Sequence, residues 1–261
     1  MLCVADIAGF LERFAPTALA EDWDNVGLLV GDFERPVERV MTCLTITDAS
    51  AHEAIAAQAD LIVTHHPLPF RPLKRLTAET HEGRLLWQLI GARISIYSPH
   101  TAFDSADEGI NQRLATGLGL VDIAPLVPAE GDGPGAGRMG RLTKPVSLAE
   151  LNARVKKLLS IEHAQAVGPL DARVERVAVA CGSAGEFISL AADAACQALV
   201  TGEVRFHGCL EAEALGLHLV LAGHFASERF AVEALAQVLA QEFPSLEVWA
   251  SRSENDPVHW L

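Results

Sequence analysis

The stretch Ala59–Pro67 reads ADLIVTHHP, and the stretch Cys196–Val204 reads CQALVTGEV. Each is a short aliphatic run that changes abruptly to polar residues, a pattern typical of a buried strand followed by a polar loop. A second pair of stretches matches in the same way, since ISIYSPHTAFD (Ile94–Asp104) aligns with HLVLAGHFASE (His218–Glu228). These pairs predict that the chain contains a diverged internal repeat.

The spacing inside the two halves supports the repeat. Leu44 precedes His65 by 21 positions, and Cys181 precedes Gly202 by the same 21 positions. In both halves strand-like runs alternate with helical stretches, which is the order of βαβ units with parallel strands. We therefore expect an α/β fold built from two related α/β domains.

The domain boundary is expected in the Gly- and Pro-rich segment 128–140. The first domain would cover 1–127 and the second 128–244, and a C-terminal tail of about 245–261 could pack back on the first. The segment contains GAGRMG, which fits the glycine pattern of a dinucleotide site. That site needs a strand just before the glycines and a helix just after. Neither pattern is present, so we interpret the glycines as linker and turn.

Composition limits the classes of partner. The 261 residues carry a formal net charge of −14, from 20 Lys and Arg against 34 Asp and Glu. Nucleic acids are polyanions and attract basic surfaces, so this charge disfavours nucleic-acid binding. No apolar run approaches the ~18 residues needed to span a bilayer, and the first residues do not resemble a signal peptide. The five cysteines form no C-x-x-C pair. We expect a cytoplasmic protein with reduced thiols.

Five titratable residues follow predicted strands and carry the chemistry. These candidate ligands are His65, His66, Asp104, His224 and Glu228. In open α/β sheets ligands bind beyond the carboxyl ends of the strands, which is where all five fall. Taken singly, each has a plain structural alternative: solvated loop histidines, a turn aspartate, and a carboxylate that stabilises the start of a helix.

Taken together, the five residues indicate a metal site. If the two halves face each other, their strand ends meet, and three imidazoles with two carboxylates suit two divalent ions with water completing the shells. A set of nitrogen and oxygen ligands without cysteine suits Zn²⁺, Mn²⁺, Fe²⁺ or Co²⁺ better than Ca²⁺ or Cu⁺. The sequence predicts two divalent metal ions per chain and leaves their identity open.

Several of these motifs resemble a known family. DNVGLLVG (Asp24–Gly31), VTHHP (Val63–Pro67), SPHTAFD (Ser98–Asp104), TGE (Thr201–Glu203) and AGHFASE (Ala222–Glu228) occur in this order along the chain. They are similar to the Nif-three-like dinuclear metal-centre proteins, often named GTP cyclohydrolase I type 2 homologues, in their short bacterial form.

The resemblance implies two related α/β domains, a dinuclear site in the cleft between them, and a ring-shaped homohexamer. It gives ligand roles to the five residues already chosen, with Glu228 bridging the ions and His100 behind the ligands or facing the substrate. The chain departs from the family pattern at Thr45, where an Asp is common, and at Phe206, where a His is common. A Gly-rich turn also differs, reading CGSAG (Cys181–Gly185).

A dinuclear site with an open water position favours hydrolysis, because bound metal acidifies water and polarises the bond under attack. The resemblance suggests a small substrate, with GTP as one candidate, although the chain has no P-loop. His100, Glu203 and His207 are candidate proton shuttles. The alternative function is non-enzymatic, as a metal-binding protein or a ring-shaped scaffold.

Overall fold

The computed structural model describes residues 1–129 and 133–259. The chain forms two compact units, one of Met1–Phe103 with Ala231–Pro257, the other of Asp104–Phe230 with Val258 and His259. Each unit contains its own sheet with helices. The predicted α/β fold with two related domains is therefore confirmed. Residues 130–132 of the Gly-rich segment and residues 260–261 of the tail lie outside the described part.

Helices and strands alternate along most of the described chain. The helices are α1 Val4–Phe14, α2 Asp48–Ala56, α3 His81–Gly91, α4 His100–Ser105, α5 Ile110–Gly117, α6 Leu148–Leu159, α7 Phe187–Asp193, α8 Phe206–Leu215 and α9 His224–Glu242, with a 3₁₀ turn at Thr17–Leu19. The strands are β1 Gly27–Val30, β2 Arg39–Cys43, β3 Leu61–Thr64, β4 Ser95–Ser98, β5 Leu120–Ala124, β6 Arg138–Ser147, β7 Gln165–Val167, β8 Arg173–Ser183, β9 Ala198–Glu203, β10 His218–Leu221 and β11 Glu247–Ala250.

The sheet of the first unit has the strand order β1-β4-β3-β2-β11. β2, β3, β4 and β11 are parallel, and β1 runs antiparallel at the edge beside β4. Every residue of β3 is buried, because both faces of a parallel sheet are covered and a continuous aliphatic run suits that position. The carboxyl ends of β2, β3 and β4 therefore lie at one edge of this sheet.

The sheet of the second unit has the order β5-β6-β8-β9-β10-β7. β8, β9 and β10 are parallel and repeat the arrangement of β2, β3 and β4, while β5, β6 and β7 are antiparallel additions. The repeat seen in the sequence thus corresponds to the three parallel strands of each sheet. His218–Leu221 and Leu61–Thr64 have the bounds expected from the sequence.

The two units divide at Phe103 and Phe230 rather than at residue 128. The reason is strand pairing, since β5 pairs antiparallel with β6, which brings the region before the Gly-rich segment into the second sheet. The C-terminal strand β11 pairs with β2 in the first sheet. Gly135 and Gly137, at the start of β6, have positive φ and are followed by a strand, not by the helix that a dinucleotide site requires.

Each unit has its own hydrophobic core. The first packs α2 and α3 on one face of the sheet through Met41, Ile62, Leu85, Leu89 and Ile96. The second packs α7 and α8 through Ile188, Leu199, Ala212, Leu217 and Leu219. No helix within the described ranges is long and apolar enough to cross a membrane.

Candidate metal centre

Three histidines cluster at the carboxyl edge of the first sheet. His65 and His66 follow β3, and their N–H groups donate to the carbonyls of Cys43 and Leu44 at 2.9 and 2.8 Å. The ring of His65 lies 5.1 Å from that of His66 and 5.1 Å from that of His100, centroid to centroid. One ligand nitrogen from each of the three can be chosen so that all lie within 4.8 Å of one another.

Two of these rings are oriented through Nδ1. The Nδ1 of His66 is 2.6 Å from the hydroxyl oxygen of Thr45, and the Nδ1 of His100 is 2.7 Å from Oδ1 of Asp24. A partner on one ring nitrogen fixes the ring and leaves the other nitrogen for a ligand role. In both histidines the nitrogen left for that role is Nε2.

Asp24 is the buried anchor of this cluster, with a side chain only 1% exposed. Burial of its carboxylate would raise the pKa of Asp24, but hydrogen bonds from His100, Thr101 and Asn25 outweigh burial and lower it to about 2. An ionised carboxylate can only accept, so Nδ1 of His100 carries a proton and donates it to Asp24. The backbone of His100 has a φ of +25°, a value that a non-glycine residue adopts only at a cost in energy.

Thr45 is itself held by Glu254, which follows β11. The Glu254 carboxylate accepts the backbone N–H groups of Leu44 at 2.9 Å and of Thr45 at 2.6 Å. Thr45 stands where an Asp is common in the family, and it still offers His66 a polar partner. That partner is a hydroxyl and not a carboxylate. The role of this position, which the sequence left open, is to orient a histidine ring.

In the second unit, His224 stands between two carboxylates at the start of α9. Its Nδ1 is 3.0 Å from Oε1 of Glu203 and its Nε2 is 3.2 Å from Oε2 of Glu228. The hydrogen bond that Nε2 of His224 donates to Glu228, helped by the charge of both carboxylates and opposed by burial, raises the pKa of His224 to about 9. The two carboxylates therefore favour the protonated form of the His224 ring, whose Nε2 lies next to a Glu228 carboxylate that is 3% exposed.

Two glycines allow the backbone to approach this pair. Gly182 has a φ of +63°, and a Cβ at that position would overlap Oε1 of Glu228 and come within 3.5 Å of Nε2 of His224. A Cβ on Gly202 would lie 2.6 Å from Oγ of Ser227 and 3.0 Å from Cα of His224. The stretch CGSAG differs from the family pattern but keeps Gly182, the glycine that this close approach requires.

Asp104 lies beside Cys181 in the second unit. The Cys181 thiol donates to Oδ1 of Asp104 at 3.1 Å, and its backbone N–H donates to Asn111 at 2.8 Å. Burial, followed by the negative charges of Asp104 and Glu228, raises the pKa of the Cys181 thiol well above its usual range. Cys181 therefore remains a neutral donor that positions one carboxylate oxygen, a role that the sequence did not indicate.

The structure thus gathers His65, His66 and His100 in the first unit and joins Glu203, His224 and Glu228 in the second. His207 is exposed in the first turn of α8, where its ring lies 5.8 Å from that of Phe206. Asp24 was missed as a site residue, although its motif was noticed, because a DNVG sequence also reads as a turn.

The donor set in each unit fits a divalent transition metal. Imidazole nitrogens and carboxylate oxygens dominate, and the histidines carry the hydrogen-bonded partners that metal-binding histidines usually have. A cation at Nε2 of His224 would take the place of the proton that the Glu228 carboxylate stabilises there.

Comparisons with known proteins agree with these motifs. The family model described as Duf34/NIF3 (NGG1p interacting factor 3) matches residues 2–257. The chain is 32% identical over 262 residues to "GTP cyclohydrolase 1 type 2 homolog" of Clostridium perfringens, covering 98% of both chains. It is 34% identical over 230 residues to the protein of the same name from Clostridium acetobutylicum, covering 87% of this chain and 85% of that one. The crystal structure of a Bacillus cereus protein related to NIF3 superposes with a TM-score of 0.92 at 23% identity, over 100% of this chain and 99% of that one, and shows the same fold.

Proposed function

The chain belongs to the Duf34/NIF3 (NGG1p interacting factor 3) family, and on that premise we propose that it is a metal-dependent hydrolase that binds two divalent ions. His65, His66, Asp104, His224 and Glu228 would hold the ions through imidazole nitrogens and carboxylate oxygens. The observation that carries the proposal is the cluster of His65, His66 and His100, whose ligand nitrogens can lie within 4.8 Å of one another. Three imidazoles gathered at strand ends have little structural reason to be there without a cation.

Divalent ions at such a site acidify water and polarise the bond under attack. The chain's own residues orient the histidine rings and supply a group for proton transfer. Thr45 and Asp24 hold the rings of His66 and His100 so that Nε2 faces outward from each hydrogen-bonded Nδ1. Glu203 holds His224 in the same way. His100 is placed to accept or donate a proton at Nε2, because the Asp24 carboxylate keeps the other proton on Nδ1.

The substrate is proposed to be small and hydrolysable. The names of the Clostridium relatives suggest GTP, with one water added across a C–N bond of its imidazole ring. Glu203 and His207 remain candidates for moving protons in that reaction. The same proposal includes a cytosolic location. It also includes assembly of the chain as a homohexamer.

Metal content tests the ligand assignment directly. Elemental analysis of protein purified without an affinity tag or chelator should give about two transition-metal ions per chain. H65A and E228A should lower that number while the circular-dichroism spectrum stays unchanged, because both residues lie at strand ends or helix starts and not in a core. H52A is the matched control, since His52 is exposed on α2. Wild-type metal content in both H65A and E228A would refute the assignment.

Turnover separates enzyme from metal carrier. GTP ring opening can be followed by ultraviolet absorbance with metal-loaded protein, and E228Q should abolish it. Metal binding without hydrolysis of GTP or of a phosphoester panel would favour the non-enzymatic alternative. Protein that binds no Zn²⁺, Mn²⁺, Fe²⁺ or Co²⁺ would leave a scaffold as the better account.

A further inference from the structure

Two large aromatic side chains flank the histidine cluster and remain open to solvent. Trp23 is 62% exposed and Phe70 is 44% exposed. Their ring centroids are 6.0 Å apart, and each lies 6.0 Å from the ring of His100, within the range of aromatic contacts. Single exposed apolar residues are ordinary, but a contiguous aromatic surface beside a candidate catalytic group calls for a ligand. We call Trp23 and Phe70 the aromatic platform.

The platform is fixed in place by polar contacts on both sides. Asp24, next to Trp23, accepts hydrogen bonds from His100 and Thr101. The side chain of Asn25 donates to the carbonyl of Pro69, next to Phe70, at 2.7 Å. These contacts tie the loop before β1 to the loop after β3, so the backbone that carries both aromatic residues has little conformational freedom to lose on binding.

We infer that the aromatic platform binds the substrate through a planar heteroaromatic ring, stacked on Trp23 and bordered by Phe70, which places that ring beside His100. The two platform rings are tilted by 36° with respect to each other, so they are not the parallel walls of a slot, and a ligand would stack on the exposed face of Trp23. A flat ring covers such a face, whereas an alkyl chain gains most in a deep pocket. This inference names the substrate class of the proposed site and so rests on the proposed function, but its contacts lie wholly within the first unit.

Charge selects among ligands that can stack. A tryptophan face also attracts cations. The neighbouring histidines are proposed to hold divalent cations, which would repel a cationic ligand. A neutral or electron-poor ring, such as a nucleobase, meets no such penalty. Stacking of a base on an aromatic side chain typically changes affinity by about tenfold or more when that side chain is removed.

The test compares W23A with W87A in the native, metal-loaded protein. Trp87, on α3, is also 62% exposed, so W87A removes an equally open indole elsewhere in the same unit. Calorimetric titration with GMP, AMP, CMP and UMP should show binding of at least one. W23A should weaken it about tenfold or more, F70A by a smaller factor, and W87A by less than about twofold. W23F should restore most of the affinity, and ribose 5-phosphate, which lacks the ring, should bind W23A and wild type alike.

Equal nucleotide affinity in W23A and wild type would overturn the inference, as would failure of all four nucleotides to bind. Iodide quenching of tryptophan fluorescence tests whether Trp23 is accessible in the native protein. If wild type and W23A are quenched to the same extent, Trp23 is shielded from solvent. That result would overturn the inference too, because the platform would then be covered by another chain. Repeating the titrations after chelation separates the two hypotheses. If W23A weakens nucleotide binding and the protein also fails to take up any metal, the platform is supported and the proposed function is refuted. If the protein binds metal and turns over substrate but W23A has no effect on nucleotide binding, the proposed function is supported and the platform is refuted.

Discussion

At the scale of single residues, the site depends on which side chains are absent as much as on which are present. Gly182 lies so close to Glu228 that a Cβ there would overlap Oε1 of the carboxylate. Gly185, three positions further along the chain and just after β8, has open space around the position of an added Cβ. The two glycines thus form a natural pair of test and control.

We expect G182A to weaken metal binding by about tenfold or more, because Glu228 must move away from its place beside His224. The positive φ of Gly182 adds a stability cost of roughly 1 kcal/mol for any residue with a Cβ. Metal affinity measured by competition with a chromogenic chelator checks the first effect, and thermal melting checks the second. G185A should match wild type in both. Full metal affinity in G182A would show that Glu228 does not need its observed position.

The candidate ligands that the sequence predicts share one property, their place after a repeated strand. His65, His66 and His224 follow aliphatic runs that recur with equal spacing, so their neighbourhood could be predicted. The contact of Asp24 with His100 spans 76 positions, and no local pattern announces it. The contact of Glu254 with Thr45 spans 209 positions and depends on where β11 pairs. Long-range partners of this kind follow from tertiary packing and not from periodicity.

At the scale of secondary structure, the C-terminal strand β11 pairs with β2, and the carboxylate of Glu53 adds side-chain contacts to the strand and to the residues after it. Glu53 on α2 accepts hydrogen bonds from the indole N–H of Trp249 at 3.1 Å and the hydroxyl of Ser251 at 2.8 Å. It also accepts the backbone N–H groups of Arg252 and Ser253. Burial would raise the pKa of Glu53, but these hydrogen bonds outweigh it and lower the pKa.

The variant E53Q should lower thermal stability near neutral pH by about 1–3 kcal/mol, since hydrogen bonds to a charged acceptor are lost. A carboxylate whose folded pKa is depressed stabilises the protein above its ordinary value of 4.5 and loses that effect as pH falls through the folded pKa. The gap between wild type and E53Q should therefore narrow steadily as pH falls below about 4.5. Thermal melts across that range measure it.

E247Q provides the matched control for E53Q. Glu247 is also on the C-terminal strand, but its ion pair with Arg39 is largely exposed, so its loss should change stability little. A gap between wild type and E53Q that stays constant with pH would show that the charge of Glu53 does not hold the strand.

The elements outside the repeat were the ones that sequence patterns missed. β5, β6 and β7 extend the second sheet with antiparallel pairs, and β6 begins within a segment whose glycines indicated a linker. Glycine marks a turn reliably but does not say whether a strand follows it. The three parallel strands of each half were predictable because both faces are buried, which makes their apolar runs continuous.

At the scale of the whole molecule, one helix of the second unit exposes large apolar side chains to solvent. Within the described ranges, α8 exposes Phe206 by 71% and Leu210 by 44%. These residues are four positions apart and so share one helix face. Contiguous exposed apolar surface of this kind commonly marks contact with another protein. It is consistent with the homohexamer that the family resemblance implies.

We therefore expect a native mass of about 167 kDa, six chains of 27.9 kDa each. Size-exclusion chromatography with light scattering measures this mass without reference to shape. The mass should stay the same after chelation, because the candidate ligands lie at strand ends and helix starts whereas the apolar surface lies on the face of α8. A mass near that of a single chain would refute the hexamer. It would also leave the exposed face of α8 to be explained by a different partner.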